Sequence, residues 1–173
     1  MSARSHRTLY DRDVVSWAAE QMSALAALDA SGVASDVDWP NVIRTIGRVA
    51  DEELARVKQA VSDVLGSAIK GYIDPDSTIR LRWEIAALEG GFRIRDDARP
   101  SVRSRLDLDQ LWVEAFDAAL PEVRADLIAG VPPGLPTRCP FSWDDLLDEN
   151  FTYESAVRRL YDGLKLQAES GQR

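Results

Sequence analysis

The sequence predicts an all-α fold, an up-down helical bundle of about four main helices with a short capped helix and a further helix at the C-terminal end. Three observations carry that expectation. Apolar residues recur at intervals of three and four along most of the chain, no run alternates apolar and polar residues as a half-buried strand does, and Pro, Gly and Asp gather between the periodic stretches. A length of 173 residues suits one compact core, since a domain of about 150 residues buries roughly 70% of the surface of its unfolded chain.

The first helix is expected from Asp11 to Leu28, with Val14, Trp17, Ala18, Leu25 and Leu28 in register and Asp11 or Asp13 as its cap. Residues 29–36 are small and turn-forming, without periodicity, and read as a connection. Asp38 then caps a second helix whose first turn holds Pro40, where a missing N–H costs nothing. Its stripe, Ile43, Ile46, Ala50, Leu54, Val57, Val61, Val64, Ala68 and Tyr72, is the clearest in the chain. Continuous from Pro40 to Tyr72 it is a rod of about 50 Å, so either an elongated bundle or a break near Gly66 or Gly71 is expected. Asp74-Pro75 ends it.

A third helix from Ser77 to Ile94 carries Ile79, Trp83 and Ile94 on one face and Leu81, Ile85, Leu88 and Phe92 on a neighbouring one, a wide apolar sector that predicts a central position. Gly90-Gly91 within it predicts a kink or a close helix crossing. A fourth helix is expected from Ser101 to about Leu120, and Pro121 opens a further turn. Val131 to Pro136 holds three prolines and a glycine and reads as an extended linker. Ser142 and Asp145 form a capping box that starts a short helix, with Trp143, Leu146, Leu147 and Phe151 docked and the acids in water. Tyr153, Val157, Leu160, Tyr161 and Leu164 form the last stripe. The expected organisation is a disordered N-terminus over 1–8, the bundle over 9–151, and an additional helix with a frayed tail over 152–173.

Charge and composition bound the function. A net charge of −8 argues against general binding to phosphate backbones or anionic lipid. One cysteine forms no internal disulfide, no N-terminal apolar run reads as a secretory signal, and charge interrupts every apolar stretch short of a membrane span. A cytoplasmic protein is expected.

No constellation of catalytic residues stands out. His6 is the only histidine and lies near the chain end, which removes Ser–His–Asp, Cys–His and most zinc designs. No phosphate-binding glycine motif is present, so no cofactor is expected. Asp51-Glu52-Glu53 sits opposite the apolar stripe of the second helix and reads as a solvated face. Asp144, Asp145, Asp148 and Glu149 read as capping and surface charge. Cys139, before Pro140, reads as a small buried hydrophobe, and the five tryptophans as core anchors. Between Ile79 and Arg105 seven arginines face four acids, a local +3, expected to pair with acidic neighbours or to meet an acidic partner. The candidate interaction residues are therefore Arg93, Arg95, Arg99, Arg103, Asp144, Asp145, Asp148 and Glu149.

The expected function is a non-catalytic interaction or adaptor domain that binds an unidentified protein partner or itself. The alternatives are a Mg-dependent hydrolase or nuclease built on the carboxylate clusters, and nucleic-acid binding through the arginines of the third and fourth helices.

Several short motifs occur in a fixed order: Leu9-Tyr10-Asp11-Arg12-Asp13-Val14-Val15-Ser16-Trp17, Asp38-Trp39-Pro40-Asn41-Val42, Arg99-Pro100-Ser101-Val102-Arg103, and Cys139-Pro140-Phe141 followed by Leu146-Leu147-Asp148-Glu149-Asn150-Phe151. In their order and spacing, over residues 9 to 151, they resemble the bacterial domain-of-unknown-function family twenty-nine. The resemblance implies a small helical bundle and no assigned activity. Typical members carry an acidic run in the second helix and His-Leu-Leu-Lys near its end. This chain has Arg44-Thr45-Ile46-Gly47 and Ser67-Ala68-Ile69-Lys70 there, so only Lys70 matches. The resemblance implies that any site built on those acids and that histidine is missing here, and that the helix from Tyr153 onward is an addition.

Overall fold

The structure, a computed structural model, describes residues 8–32, 36–123, 127 and 135–170, and of 164–170 the backbone alone. His6, most of the N-terminal tail, the linker over 131–134 and the side chain of Leu164 lie outside the described residues. Those residues are helical with no strand among them, as the spacing predicts. The chain divides into two compact units, Met1–Arg56 with Arg99–Arg105 and Val57–Ala98 with Leu106–Arg173.

In the first unit a one-turn helix, α1 (Leu9–Arg12), starts at a capping box between Thr8 and Asp11. Helix α2 (Val14–Ser31) follows directly, capped by Asp13, which accepts the Ser16 N–H at 2.9 Å. It runs three residues past the expected end and stops at Gly32, whose φ of 68° is the left-handed conformation that closes helices. Asp13 also accepts the Ser101 hydroxyl at 2.6 Å, which ties α5 (Pro100–Arg103) to the start of α2. Burial opposes the charge on Asp13, but the bonds from Ser101 and Ser16 outweigh it and lower the pKa. Tyr10 meets Trp17 edge to face at 4.9 Å. Val15, Ala18, Ala50 and Val102 are buried here.

Helix α3 (Trp39–Ile73) is unbroken, with its residues through Arg56 in the first unit. Asp38 accepts the Asn41 N–H at 3.2 Å and starts it as expected. Neither glycine breaks it. Gly71 instead admits Tyr153, since a Cβ there would lie 2.0 Å from the tyrosine hydroxyl. Glu53 corrects the expectation of a solvated acidic trio. Asp51 and Glu52 are exposed, but Glu53 is buried and paired with Arg56 one turn on.

The second unit packs the rest of α3 with α4 (Arg80–Asp97), α6 (Leu108–Ala119), a 3-10 turn (Leu120–Glu122), α7 (Trp143–Leu147) and α8 (Tyr153–Ser170). Val57, Val61, Leu65, Ile69, Trp83, Ile94, Trp112, Leu146 and Leu160 form its core, each such side chain contributing about 1.5–3 kcal/mol on burial. The expected fourth helix is two helices. The chain leaves α5 at Ser104, and Asp107, with extended backbone, starts α6 afresh by accepting the N–H groups of Asp109 and Gln110. Lys58 pairs with Glu114 at 2.8 Å and Lys70 with Glu122 at 3.1 Å, linking α3 to α6 and to the 3-10 turn.

Candidate interaction surface

Helix α4 divides its apolar residues between two environments. Trp83, Ala87, Gly90, Gly91 and Ile94 are buried. Gly90 sits on α3, where a Cβ would come within 2.7 Å of the Ala60 carbonyl and 2.9 Å of Val64. Of the two readings of Gly90-Gly91, the close crossing is the one realised. Leu81, Ile85, Leu88 and Phe92 point the other way and are 66, 49, 57 and 55% exposed. The expectation of a central helix is therefore corrected. Periodicity reports that a face is apolar, and it does not report whether the same chain covers it.

Beside Leu88 and Phe92 runs a groove of about 300 Å³, whose other walls include Phe151 and Tyr153 and whose rim holds Arg95 and Glu149. Its lining is mostly apolar. The wall opposite α4 is the turn after α7, with Glu149, Phe151 and Thr152, and the start of α8, with Tyr153 and Ala156, and α4 packs against both α7 and α8. Ser142 and Asp145 form the expected capping box, the carboxylate accepting the Ser142 N–H and hydroxyl at 2.7 Å each. Arg159 of α8 adds an ion pair to Asp145 at 2.6 Å. Burial works against the Asp145 charge, yet the bonds from Arg159 and Ser142 overcome it and hold the carboxyl at about 2.

The docked side chains of this segment differ from expectation. Phe141 and Leu146 are buried, whereas Trp143 and Leu147 are only half-buried. Phe141 meets Trp112 at 6.2 Å and Phe151 at 5.3 Å, both edge to face, with the Arg159 guanidinium 5.6 Å over its ring. Phe141 lies before the helix and outside its stripe, so spacing gave it no weight. The Trp112 indole N–H donates to the Pro136 carbonyl at 2.7 Å, which fixes the end of the linker.

The predicted interaction residues scatter. Arg95 and Glu149 both line the groove, and Arg95 stacks on the Phe92 ring at 4.9 Å. Arg93 pairs with Glu89 at 3.5 Å, and Arg80 at the start of the same helix pairs with Glu84 at 2.7 Å, the intramolecular pairing expected of these arginines. Arg99 and Arg103 belong to the other unit, at the start and end of α5. Asp144 is exposed, Asp145 is held by its cap, and Asp148 accepts the Asn150 backbone and side-chain N–H groups. Among the described residues no three His, Cys, Asp or Glu side chains are placed to hold a metal ion. Cys139 is half-buried, and burial pushes its thiol up to about 11, so it stays protonated at neutral pH. The residues that sequence reasoning missed as a surface are Leu81, Ile85, Leu88 and Phe92, which it assigned to the interior.

The domain of unknown function DUF29 matches residues 9–152. The chain belongs to the DUF29 family. The resemblance carried by the short motifs is thereby borne out. Among solved structures this DUF29 chain is similar to an alpha-helical protein of unknown function from Rhodospirillum rubrum ATCC 11170, with 27% identity and a TM-score of 0.75 over 90% of this chain and 99% of that one. No curated protein matches it. Among the described residues no helix is long and apolar enough to cross a membrane. Lys70 pairs with Glu122 and lies 5.9 Å over the Trp83 ring, so here it serves the packing of α3.

Proposed function

We propose that this chain is a non-catalytic protein-interaction module of the cytoplasm, and that it binds through the outer face of α4. The carrying observation is the run of four large apolar side chains, Leu81, Ile85, Leu88 and Phe92, each about half exposed or more on one helix beside an apolar groove. A single exposed leucine needs no partner to explain it. A contiguous apolar face rimmed by charge is the composition of a helix-docking surface. The chemistry of the neighbouring segment agrees: the Cys139 thiol is too weakly acidic to act as a thiolate, and the Asp145 oxygens are taken by Ser142 and Arg159.

The test is a photoreactive side chain placed at Leu88 in cells that naturally express the protein, with the same group at Val113, itself 50% exposed on α6, as control. A discrete protein adduct from position 88 and none from 113 is the expected outcome. Equal labelling from both positions, or none from 88, overturns the reading.

A further inference from the structure

The spacing of the outer face of α4 says more than that it binds. Leu81, Ile85, Leu88 and Phe92 step by four, three and four, which is the two-in-seven spacing of a coiled-coil seam and narrower than the stripe a helix buries in its own globular core. The charges beside the seam are ordered as well. Arg82 and Glu89 lie seven residues apart on one flank, next to Leu81 and Leu88, and Glu84 and Gly91 lie on the other. Arg82 has no ion-pair partner among the described residues, and the contact of Glu89 with Arg93 is exposed and long at 3.5 Å.

We infer that this seam takes a second copy of the chain, with α4 antiparallel on α4 about a twofold axis between Ile85 and Leu88; the inference rests on α4 being the docking face proposed above. In that arrangement Leu81 opposes Phe92 of the second copy and Ile85 opposes its Leu88, so every seam residue meets an apolar one. A twofold interface repeats each contact, and Arg82 then faces Glu89 of the other copy twice. On the opposite flank Glu84 faces Gly91, which presents no like charge. The parallel alternative places Glu84 against Glu89 of the other copy twice, a like-charge contact that opposes that orientation. The charge pattern thus matches itself in one orientation only. The seam holds four large side chains over about 16 Å at 1.5 Å per residue, against the roughly 20–30 residues a side of a standard interface. A reversible dimer of micromolar affinity is expected.

Sedimentation of the full chain from 1 to 200 μM, concentrations chosen to bracket roughly micromolar affinity, should show the mass rise from one chain to two. Arg82→Glu should weaken the dimer by about tenfold, as two attractive contacts become repulsive, and Arg82→Glu with Glu89→Arg should restore it. Orientation is read by thiols. Mixed Leu81→Cys and Phe92→Cys proteins should form a disulfide-linked dimer on oxidation, and neither alone should exceed the background set by Cys139. A monomer at every concentration, a dimer indifferent to Arg82→Glu and Leu88→Asp, or crosslinking of Leu81→Cys to itself overturns the inference. If the purified chain stays monomeric while position 88 captures a different protein in cells, the second copy is excluded and the interaction reading survives.

Discussion

The two faces of α4 have nearly the same apolar content and opposite fates. One face puts Trp83 and Ile94, 1% and 0% exposed, against the rest of the second unit and lets α3 in over Gly90. The other presents Leu81, Ile85, Leu88 and Phe92 to the outside. What separates them is the size of the residues between the large ones. On the inner face Gly90 lets the α3 backbone approach, while on the outer face charged Arg82, Glu84 and Glu89 lie beside the seam. Small neighbours mark a face built for its own chain, and flanking charge marks a face that stays in water until a partner covers it.

The largest expected effect breaks the inner face. Trp83→Ala should lower stability in urea unfolding by about 3–5 kcal/mol, the range for a fully buried aromatic. A loss below about 1 kcal/mol would show that the face is not packed as described. Next comes Gly90→Ala. Alanine favours a helix by about 1 kcal/mol over glycine, but here its methyl meets the Ala60 carbonyl, which is backbone and yields little. We expect a net loss of about 1–3 kcal/mol. At Gly163 in α8, where nothing lies within 4 Å, the same substitution should stabilise by about 0.5–1 kcal/mol. Opposite signs at the two glycines, read from urea midpoints, would establish that the crossing and not the residue type sets the cost.

The capping box of α7 and its ion pair to α8 are tested by acid. The Asp145 carboxyl is lowered from 3.8 to about 2, so its stabilisation is fully present above pH 4 and is lost as the pH falls through about 2. With Arg159 half exposed, the contribution is discounted to about 1–2 kcal/mol. Wild type should therefore exceed Asp145→Asn in stability at pH 6 and converge with it near pH 2. A difference that stays constant across that range would mean the carboxylate charge contributes nothing.

Much of this was legible in the residues themselves. Helix starts at Asp13, Asp38 and Ser142 follow from cap chemistry, which acts within three or four residues and so is written locally. The end of α3 follows from Pro75. The failures share a cause. The exposure of the outer face of α4, the burial of Glu53 beside Arg56, the division of the expected fourth helix at Asp107 and the use of Phe141 in place of Trp143 as anchor all depend on which element lies opposite, and a stripe carries no record of that. Of the candidate residues, only Arg95 and Glu149 reached the groove, because charge runs locate surfaces without locating concavity.

The smallest effect on stability is the most informative about the outer face. Leu88→Gln removes an apolar side chain that is 57% exposed in the single chain, so the folded monomer loses little contact, and its urea midpoint below the dimer range should stay within about 0.5 kcal/mol of wild type. If α4 were a core helix on both faces, the same change would bury an unpaired amide and cost several times as much. Stability that holds while association is lost separates the two faces by function. Stability that falls by about 2 kcal/mol or more in the monomer would place Leu88 inside the fold and end the distinction between them.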